Sequence, residues 1–266
     1  MKKIFKLWAI IFIFFLIIVN KGFTKEKCDI FNGIFIEQNE LAPQLSTADF
    51  KKAVTNGNAV IIDNRPYKEW AISHIPGAIV VSPKPGLSKA FYTSDVDSIK
   101  KITRNKEKKI ILYCDGINCN KSRRVSKALK KEGFINVFRY QLGIPVWLAL
   151  GFPAQCELEG IEYVYSKDKT SVFIDSREKN KFKQTHLRGS KNIPYNKIKK
   201  GKDTGEILKA KNDGRLPVAD RNTRIIVFGN NPAESEKVAE ALAKEAFHNV
   251  CFYGGSLKNI LKLDKK

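Results

Sequence analysis

The sequence predicts an α/β protein of two tandem domains, each a mainly parallel sheet with helices on both faces. Short apolar runs rich in Ile and Val alternate with amphipathic segments, as expected for parallel strands covered by helices. A set of short motifs occurs twice in the same order. The 266 residues, 43% of them apolar, are enough for a core in each domain.

The internal repeat is the clearest of these observations. Residues 60–65 (VIIDNR) recur as residues 172–177 (VFIDSR), and a His-x-x-Gly phrase follows each at the same spacing, at His74 and at His186. Further apolar runs also match in pairs: 110–114 (IILYC) with 225–229 (IIVFG), and 133–137 (GFINV) with 246–250 (AFHNV). The second half therefore serves as an internal control for the first.

Each half is predicted to run helix, strand, helix, strand, a long irregular stretch, then strand, helix, strand, helix. Ser46 and Thr47 are positioned to cap a helix over residues 48–55, and Ser122 to cap one that ends at Lys131. Residues 156–165 have the character of a linker. We place the first domain at 41–156 and the second at 157–266.

The N-terminus has the pattern of a secretory signal peptide over residues 1–24. A basic start precedes an apolar run from Leu7 to Val19, which is shorter than the roughly 20 residues of a membrane span. An uncleaved N-terminal anchor is the alternative, and it is the only membrane connection that we predict. Either way the protein is expected to be exported, in a periplasmic or other extracytoplasmic location, with residues 25–40 as an N-terminal extension.

The five cysteines are an odd number in a compartment where thiols tend to pair or to serve chemistry. Cys28 and Cys156 flank the first domain, and a disulfide between them is a hypothesis for how the extension is attached. Cys251 is predicted to lie inside a strand. Cys114 and Cys119 are left together in one loop.

Charge and histidine content indicate which partners to expect. The net charge is +21, but it is spread over the chain without a continuous basic stripe, so we predict attraction for small anions and no nucleic-acid partner. His74, His186 and His248 are scattered, and two of them belong to the repeat. No metal and no cofactor are predicted.

Cys114 is the candidate nucleophile. It ends the apolar strand 110–113 and is followed by a glycine-containing loop and then by a basic helix. Backbone N–H groups at a helix start, with Lys121, Arg123 and Arg124, are expected to favour the thiolate. The alternative is a buried core cysteine, which seldom lies where a strand breaks into such a loop.

These ordered motifs resemble tandem rhodanese domains over about residues 41–262. The resemblance implies a sulfurtransferase: the Cys114 thiolate takes the outer sulfur of a small anionic donor such as thiosulfate and holds it as a persulfide for a thiol or cyanide acceptor. It assigns the substrate-binding loop to Asp115, Gly116, Ile117, Asn118, Cys119, Asn120, Lys121, Ser122 and Arg123. Arg65 is a secondary site residue, which either lines the pocket or orders the strand end.

The chain also departs from the family pattern. The stretch from Cys114 to Ser122 is two residues longer than the usual Cys-x-x-Gly-x-Arg-Ser form, and it lacks the usual arginine. Cys119 is either a resolving thiol or a spectator. Gly229 stands where the second half would need a cysteine, so that half is predicted to be a structural partner or a binding module.

Two competing functions remain. A phosphatase of related fold needs Cys-x5-Arg, and Asn120 occupies the arginine position, which disfavours it. The alternative from another class is a non-enzymatic sulfur or redox carrier, or a binding protein built on the same fold.

Overall fold

The structure, a computed structural model, describes residues 29–34, 41–85 and 94–265. The chain divides into a unit that ends at Ile30 and a compact unit that runs from Phe31 to the C-terminus. The fold and the site lie in the second unit. The segment proposed as a signal peptide, residues 1–24, and Cys28 lie outside the described residues.

The first half of the compact unit alternates strands and helices. Its elements are α1 (Thr47–Asn56), β1 (Val60–Asp63), α2 (Tyr67–Ile72), β2 (Ile79–Val80), α3 (Asp95–Ile102), β3 (Ile110–Tyr113), α4 (Asn120–Lys131), β4 (Val137–Tyr140) and α5 (Gly143–Ala149). The described strands pair in parallel in the order β2-β1-β3-β4. Gln44 forms a further parallel bridge with Arg139 of β4, which extends the sheet at that edge.

The second half repeats this arrangement with a longer edge strand. Its elements are β5 (Ala154–Cys156), α6 (Leu158–Lys167), β6 (Val172–Asp175), α7 (Lys179–Gln184), β7 (Lys191–Asn192), a 3₁₀ turn (Tyr195–Lys197), α8 (Gly205–Asn212), β8 (Ile225–Phe228), α9 (Pro232–Lys244), β9 (Val250–Tyr253), α10 (Leu257–Leu261) and a final 3₁₀ turn (Leu263–Lys265). The strand order is β5-β9-β8-β6-β7, again all parallel.

The predicted fold class is confirmed, because two parallel sheets flanked by helices follow one another along the chain. Three segments are more regular than expected. The long stretches expected to be irregular contain α3 and α8, and the segment 156–165, interpreted as a linker, is occupied by the end of β5 and most of α6. Their polar composition hid short helices that are stabilised by packing rather than by propensity.

A shared apolar layer joins the two halves. It includes Ile111 and Tyr113 of β3 together with Ile226 and Phe228 of β8, all fully buried. Separate apolar clusters cover the outer face of each sheet. Parallel strands buried on both faces explain why β3 and β8 are nearly continuous apolar runs.

The junction between the halves is closed by main-chain hydrogen bonds. His74 and Gln155 exchange two of them, at 2.8 and 2.7 Å, and the Glu157 N–H donates to the Ala71 carbonyl at 2.8 Å. Helix α6 packs on α2 at this point. A Cβ atom at Gly160 would lie 2.1 Å from the Ala71 carbonyl oxygen, so glycine is what permits the close approach.

Replacing Gly160 by alanine is expected to destabilise the protein. Helix propensity alone favours alanine by about 1 kcal/mol, but overpacking against backbone costs roughly 1–3 kcal/mol, and the backbone of Ala71 cannot rotate away. Chemical denaturation of Gly160→Ala should therefore show a lower free energy of unfolding. A gain in stability would show that the two helices separate at little cost.

His74 is buried in this junction. Its Nδ1–H donates to the Trp70 carbonyl at 2.9 Å, its ring stacks on the Trp70 indole, and its Nε2 lies 3.7 Å from Glu157 Oε1. Burial lowers the pKa of His74 to about 4. The ring is therefore neutral at pH 7.

This burial predicts a loss of stability in acid. The unfolded chain takes up a proton on His74 near pH 6.5, whereas the folded chain resists it until about pH 4, so stability falls as pH falls through that window. The shift corresponds to about 3 kcal/mol. Unfolding curves between pH 7 and 4 should show a shallower pH dependence for His74→Gln than for the unmodified protein. His186→Gln is the matched control, because His186 makes the same Nδ1 contact with Phe182 on an exposed ring; an equal change in both variants would contradict the assignment.

Two further expectations can be compared with the structure here. Cys251 lies within β9, as predicted, and Cys156 beside it is a buried free thiol. The hypothesis of a disulfide between Cys28 and Cys156 involves Cys28, which lies outside the described residues. Burial and the neighbouring Cys251 raise the pKa of Cys156 well above its usual value. Within the described ranges no helix combines the length and apolarity needed to cross a membrane.

Candidate active site

Cys114 lies directly after β3, the strand that pairs with both β1 and β4. The carboxyl end of such a strand is where open parallel sheets place their ligand sites. Only 6% of Cys114 is exposed. Among the loop residues that follow, Asp115, Ile117, Asn118 and Asn120 are exposed, whereas Gly116 is buried.

Cys114 and Cys119 form a disulfide bond across this loop, with their Cα atoms 6.1 Å apart. The loop closes by a turn in which the Cys119 N–H donates to the Gly116 carbonyl at 3.1 Å. Gly116 has a φ of 101°, a conformation that favours glycine. The turn therefore brings the second thiol back to the first.

Helix α4 begins earlier than predicted. Its N-cap is Cys119 and its first residue is Asn120, so Ser122 does not cap it. Ser122 is instead buried in the first turn, where its Oγ accepts a hydrogen bond from Arg139 Nη2 at 3.3 Å. Local capping preference gave way here to a tertiary contact with β4.

The loop rests on residues from the segment after β4. Gln141 Nε2 donates to the Ile117 carbonyl at 2.9 Å, and Arg139, fully buried, donates to Gln141 Oε1. The Ile144 N–H donates to the Cys114 carbonyl at 3.3 Å. Gly143 has a φ of 63°, and a Cβ atom there would lie 2.2 Å from the Cys114 carbonyl oxygen. These hydrogen bonds and the close approach of Gly143 fix the backbone of the cysteine loop.

A buried ion pair fixes the end of the neighbouring strand β1. Arg65 Nε and Nη2 donate to the Asp63 carboxylate, the latter at 2.7 Å, and Nη2 also donates to the Ser73 carbonyl at 2.5 Å. The Tyr113 hydroxyl donates to Asp63 Oδ2 at 2.6 Å. Burial raises the pKa of Tyr113 well above its usual value, so the phenol keeps its proton. This network ties β1 to the residue before Cys114.

The remaining nitrogen of Arg65 faces the loop. Its Nη1 lies 3.9 Å from Asp115 Oδ1 and 3.8 Å from Glu69 Oε2. Burial, and then the nearby Asp115 carboxylate, raise the pKa of Glu69. Arg65 therefore orders the strand end, and its Nη1 lies beside the residue that follows Cys114.

The two loop cations are arranged differently from one another. Lys121 Nζ donates to Ser82 Oγ at 2.7 Å and lies 3.4 Å from Asp95 Oδ2. Arg123 is half-buried, and its carbonyl accepts from Ser126 Oγ at 2.9 Å. Lys121 therefore anchors the start of α4 to the segment after β2 and to the first residue of α3. Its positive charge is paired with the Asp95 carboxylate.

The second half shows what the same fold does without the thiol. Gly229 follows β8 at the place of Cys114, and a Cβ atom there would meet Ser176 Oγ at 2.2 Å. The Asn230 N–H donates to Glu234 Oε2 at 3.1 Å. The Glu234 carboxylate therefore accepts a hydrogen bond from a loop N–H group that would otherwise be available to a bound anion.

The strand-end ion pair is nevertheless repeated in the second half. Arg177 binds Asp175 with the geometry of Arg65 and Asp63: Nη2 to Oδ2 is 2.6 Å, and Nη2 to the Thr185 carbonyl is 2.6 Å. Phe228 replaces Tyr113, so the phenol contact is missing. The ion pair is therefore a feature of the fold in both halves, whereas the residues around the Asp63–Arg65 pair are particular to the site in the first half.

The structure brings Cys114, Asp115, Gly116, Cys119 and Arg65 together. Four supporting residues were missed by sequence reasoning: Glu69, Arg139, Gln141 and Gly143. Of these only Gly143 carried a signal in the sequence, because a glycine just after an apolar strand often marks a turn. An arginine inside the strand 137–140 gave no indication that it would be buried under the loop.

The fold and the site define a tandem α/β protein with one cysteine-bearing strand-loop-helix site. The family model for the rhodanese-like domain matches the chain twice, at residues 46–150 and 163–263. The chain therefore belongs to the rhodanese-like family, as the sequence motifs indicated. Sulfurtransferases of this family use sulfur donors and thiol acceptors.

Curated relatives carry a different activity in their names. The chain is 34% identical over 143 residues to a tRNA uridine(34) hydroxylase of Staphylococcus aureus (strain COL), covering 51% of this chain and 40% of the relative. It is 32% identical over 111 residues to that of Buchnera aphidicola subsp. Baizongia pistaciae, covering 41% and 33%. The match thus spans well under half the length of these relatives.

Solved structures with similarity include two sulfurtransferases. A thiosulfate sulfurtransferase from Pseudomonas aeruginosa aligns with a TM-score of 0.32 and 17% identity over 82% of this chain and 44% of its own. A 3-mercaptopyruvate sulfotransferase from Escherichia coli aligns with a TM-score of 0.36 and 19% identity over 81% of this chain and 98% of its own.

Proposed function

We propose that the protein is a sulfurtransferase that moves sulfane sulfur from a donor such as thiosulfate to a nucleophilic acceptor through a persulfide on Cys114. The placement of Cys114 carries this proposal. Cys114 directly follows β3 and begins the loop that leads to the N-terminus of α4, and its sulfur is bonded to that of a second cysteine in the same loop. In the half without this cysteine, a carboxylate fills the corresponding loop.

The reaction has two steps. The Cys114 thiolate attacks the outer sulfur of thiosulfate, the S–S bond of the donor breaks, and sulfite leaves with the electron pair. The loop N–H groups and the N-terminus of α4 stabilise the resulting anionic persulfide. A thiol or cyanide acceptor then removes the outer sulfur and restores the thiolate. No metal or cofactor enters either step.

A single-turnover assay tests this function. Reduced protein, freed of reductant, is mixed with thiosulfate; we expect sulfite equimolar with the chain for the unmodified protein and none for Cys114→Ser. When cyanide is present from the start of the reaction, thiocyanate should form at a catalytic rate. Absence of sulfite release from the reduced protein would refute sulfur transfer from thiosulfate, and a stable adduct without turnover would support the carrier alternative.

The second candidate is the activity named for the curated relatives, hydroxylation of uridine 34 in tRNA. The observation that favours it is the 34% identity over about half of this chain. Incubation of the protein with unmodified tRNA, followed by nucleoside analysis, distinguishes the two. New modified uridine that requires Cys114 would establish this candidate.

The N-terminal sequence supports an extracytoplasmic site of action. A basic start and a short apolar run favour export, either with cleavage near residue 24 or with an uncleaved anchor. Fractionation of cells that express the full chain, followed by mass measurement of its N-terminus, separates these alternatives. Recovery of the intact chain in the cytoplasm would contradict export and would strengthen the tRNA candidate.

A further inference from the structure

The disulfide between Cys114 and Cys119 places a second thiol within bonding distance of the proposed nucleophile. The backbone around both residues is fixed by the turn from Cys119 to Gly116, by Gln141 on the Ile117 carbonyl and by Ile144 on the Cys114 carbonyl. The fixed backbone of the loop therefore holds Cys119 next to the Cys114 sulfur.

We infer that Cys119 is the first acceptor of the reaction, so that each turnover releases hydrosulfide and leaves the Cys114–Cys119 disulfide. This inference rests on the proposed persulfide at Cys114. It adds a further activity: thiosulfate is split into sulfite and sulfide, with this pair of cysteines supplying the electrons. An external dithiol, the class of reductant that exchanges with protein disulfides, then resets the pair.

The step balances as a thiol–disulfide exchange. The Cys119 thiolate attacks Cys114 Sγ, the inner sulfur of the persulfide. The new Cys114–Cys119 bond forms, the persulfide S–S bond breaks, and the outer sulfur leaves with its electron pair. It takes up the proton that Cys119 gave up on becoming a thiolate, and departs as hydrosulfide. The sulfane sulfur is reduced to sulfide, and the two cysteine sulfurs are oxidised to the disulfide.

The position of Cys119 suits this attack. It is the N-cap of α4, a helix with no acidic residue in its first turn and with Lys121 and Arg123 following. Unsatisfied N–H groups at the helix start favour a thiolate there. Attack on the inner sulfur is the direction that the structure supports, because Cys114 Sγ is the atom to which Cys119 is bonded.

An internal acceptor also has the advantage of access. Cys114 is only 6% exposed, so an external thiol must enter the loop, whereas Cys119 already lies in it. Holding two reactants in one loop makes the step unimolecular. The other described thiols do not compete, because Cys156 and Cys251 are each 1% exposed in the second half and burial raises the pKa of Cys156.

The test is a single turnover without any added acceptor. Protein is reduced, freed of reductant under anaerobic conditions and mixed with thiosulfate; sulfite, sulfide, free thiols and intact mass are then measured. For the unmodified chain we expect sulfite and sulfide in equal amounts, loss of two thiols and no retained sulfur. The sulfide rate should not depend on protein concentration, because the step is intramolecular.

Cys119→Ser isolates the second step. It should still release sulfite, retain one added sulfur atom on Cys114, and release sulfide at least about tenfold more slowly than the unmodified chain until an external thiol is added. Cys156→Ala is the matched control for loss of a thiol, and it should behave like the unmodified chain.

The possible failures are distinguishable. Normal sulfite with sulfur retained on the unmodified chain would overturn the role of Cys119 and leave the proposed sulfurtransferase intact. Sulfide released by Cys119→Ser as fast as by the unmodified chain would do the same. No sulfite from any variant would refute the proposed function, and the inference with it.

Discussion

Replacing Arg65 by methionine is expected to lower the free energy of unfolding by about 3–5 kcal/mol, because it leaves the Asp63 carboxylate buried without its cation. Asp63 is fully buried, and Arg65 is 5% exposed. Burial alone would lower the pKa of Arg65, but the ion pair with Asp63 raises it above its usual value, so the guanidinium keeps its positive charge. Denaturant titration measures this loss.

The same change should also slow sulfur loading. Arg65 Nη1 faces Asp115 and Glu69 beside the cysteine loop, so its removal leaves two carboxylates without their shared cation where an anionic donor must approach. Sulfite release in the single-turnover assay should therefore fall for Arg65→Met when it is measured at a temperature at which the variant is still folded. Circular dichroism on the same sample establishes that it is.

The second half supplies the matched control. Arg177→Met breaks the same buried pair, with Asp175 fully buried and Arg177 4% exposed, but far along the chain from Cys114. We expect a comparable loss of stability and unchanged sulfite release from the folded fraction. Equal loss of sulfite release in both variants would show that Arg65 acts through stability alone.

The repeat explains why so much of the fold was predictable from sequence. Strands such as 60–63 and 172–175 are buried on both faces, so their apolar runs are strong signals, and each was seen twice. Segments that depend on tertiary contacts were not predictable. The helix over 158–167 is formed against α2, at a position that only Gly160 allows, and its sequence resembles a linker.

The site likewise combines features that local sequence predicts with features that depend on tertiary contacts. The position of Cys114 follows from a strand that ends in a loop, which is a local pattern. The start of α4 does not, because Ser122 has the better capping propensity and is instead buried under Arg139. Lys121 likewise forms an ion pair with Asp95, which lies 26 positions earlier in the chain and comes close to it only in the folded protein.

The loops after β3 and β8 differ in how their amide groups are satisfied. In the second half Glu234 accepts a loop N–H and Ser176 fills the space beside Gly229, so the loop is satisfied internally. In the first half α4 has no acidic residue in its first turn. A loop that does not neutralise its own amides is the one able to hold an anionic sulfur species.

Gly143→Ala should have the largest effect of any single methyl group in this site. The added Cβ would lie 2.2 Å from the Cys114 carbonyl oxygen and 2.5 Å from the Gly116 nitrogen, and both are backbone atoms that cannot rotate away. The φ of 63° adds strain of about 1 kcal/mol for a non-glycine residue. Together we expect a loss of about 3 kcal/mol in the free energy of unfolding.

Activity should fall further than stability, because the clash is with the cysteine loop itself. A displacement of about 1 Å in a reacting group costs on the order of a hundredfold in rate, so sulfite release by folded Gly143→Ala should drop by about that factor. Gly57→Ala is the matched control: its φ is 61°, and nothing lies within 4 Å of the added Cβ, so it carries the strain without the clash. We expect Gly57→Ala to lose about 1 kcal/mol and to retain full sulfite release. If both variants behaved alike, the contact of Gly143 with Cys114 would have no part in positioning the nucleophile, and the loop would have to be held by Gln141 and Ile144 alone.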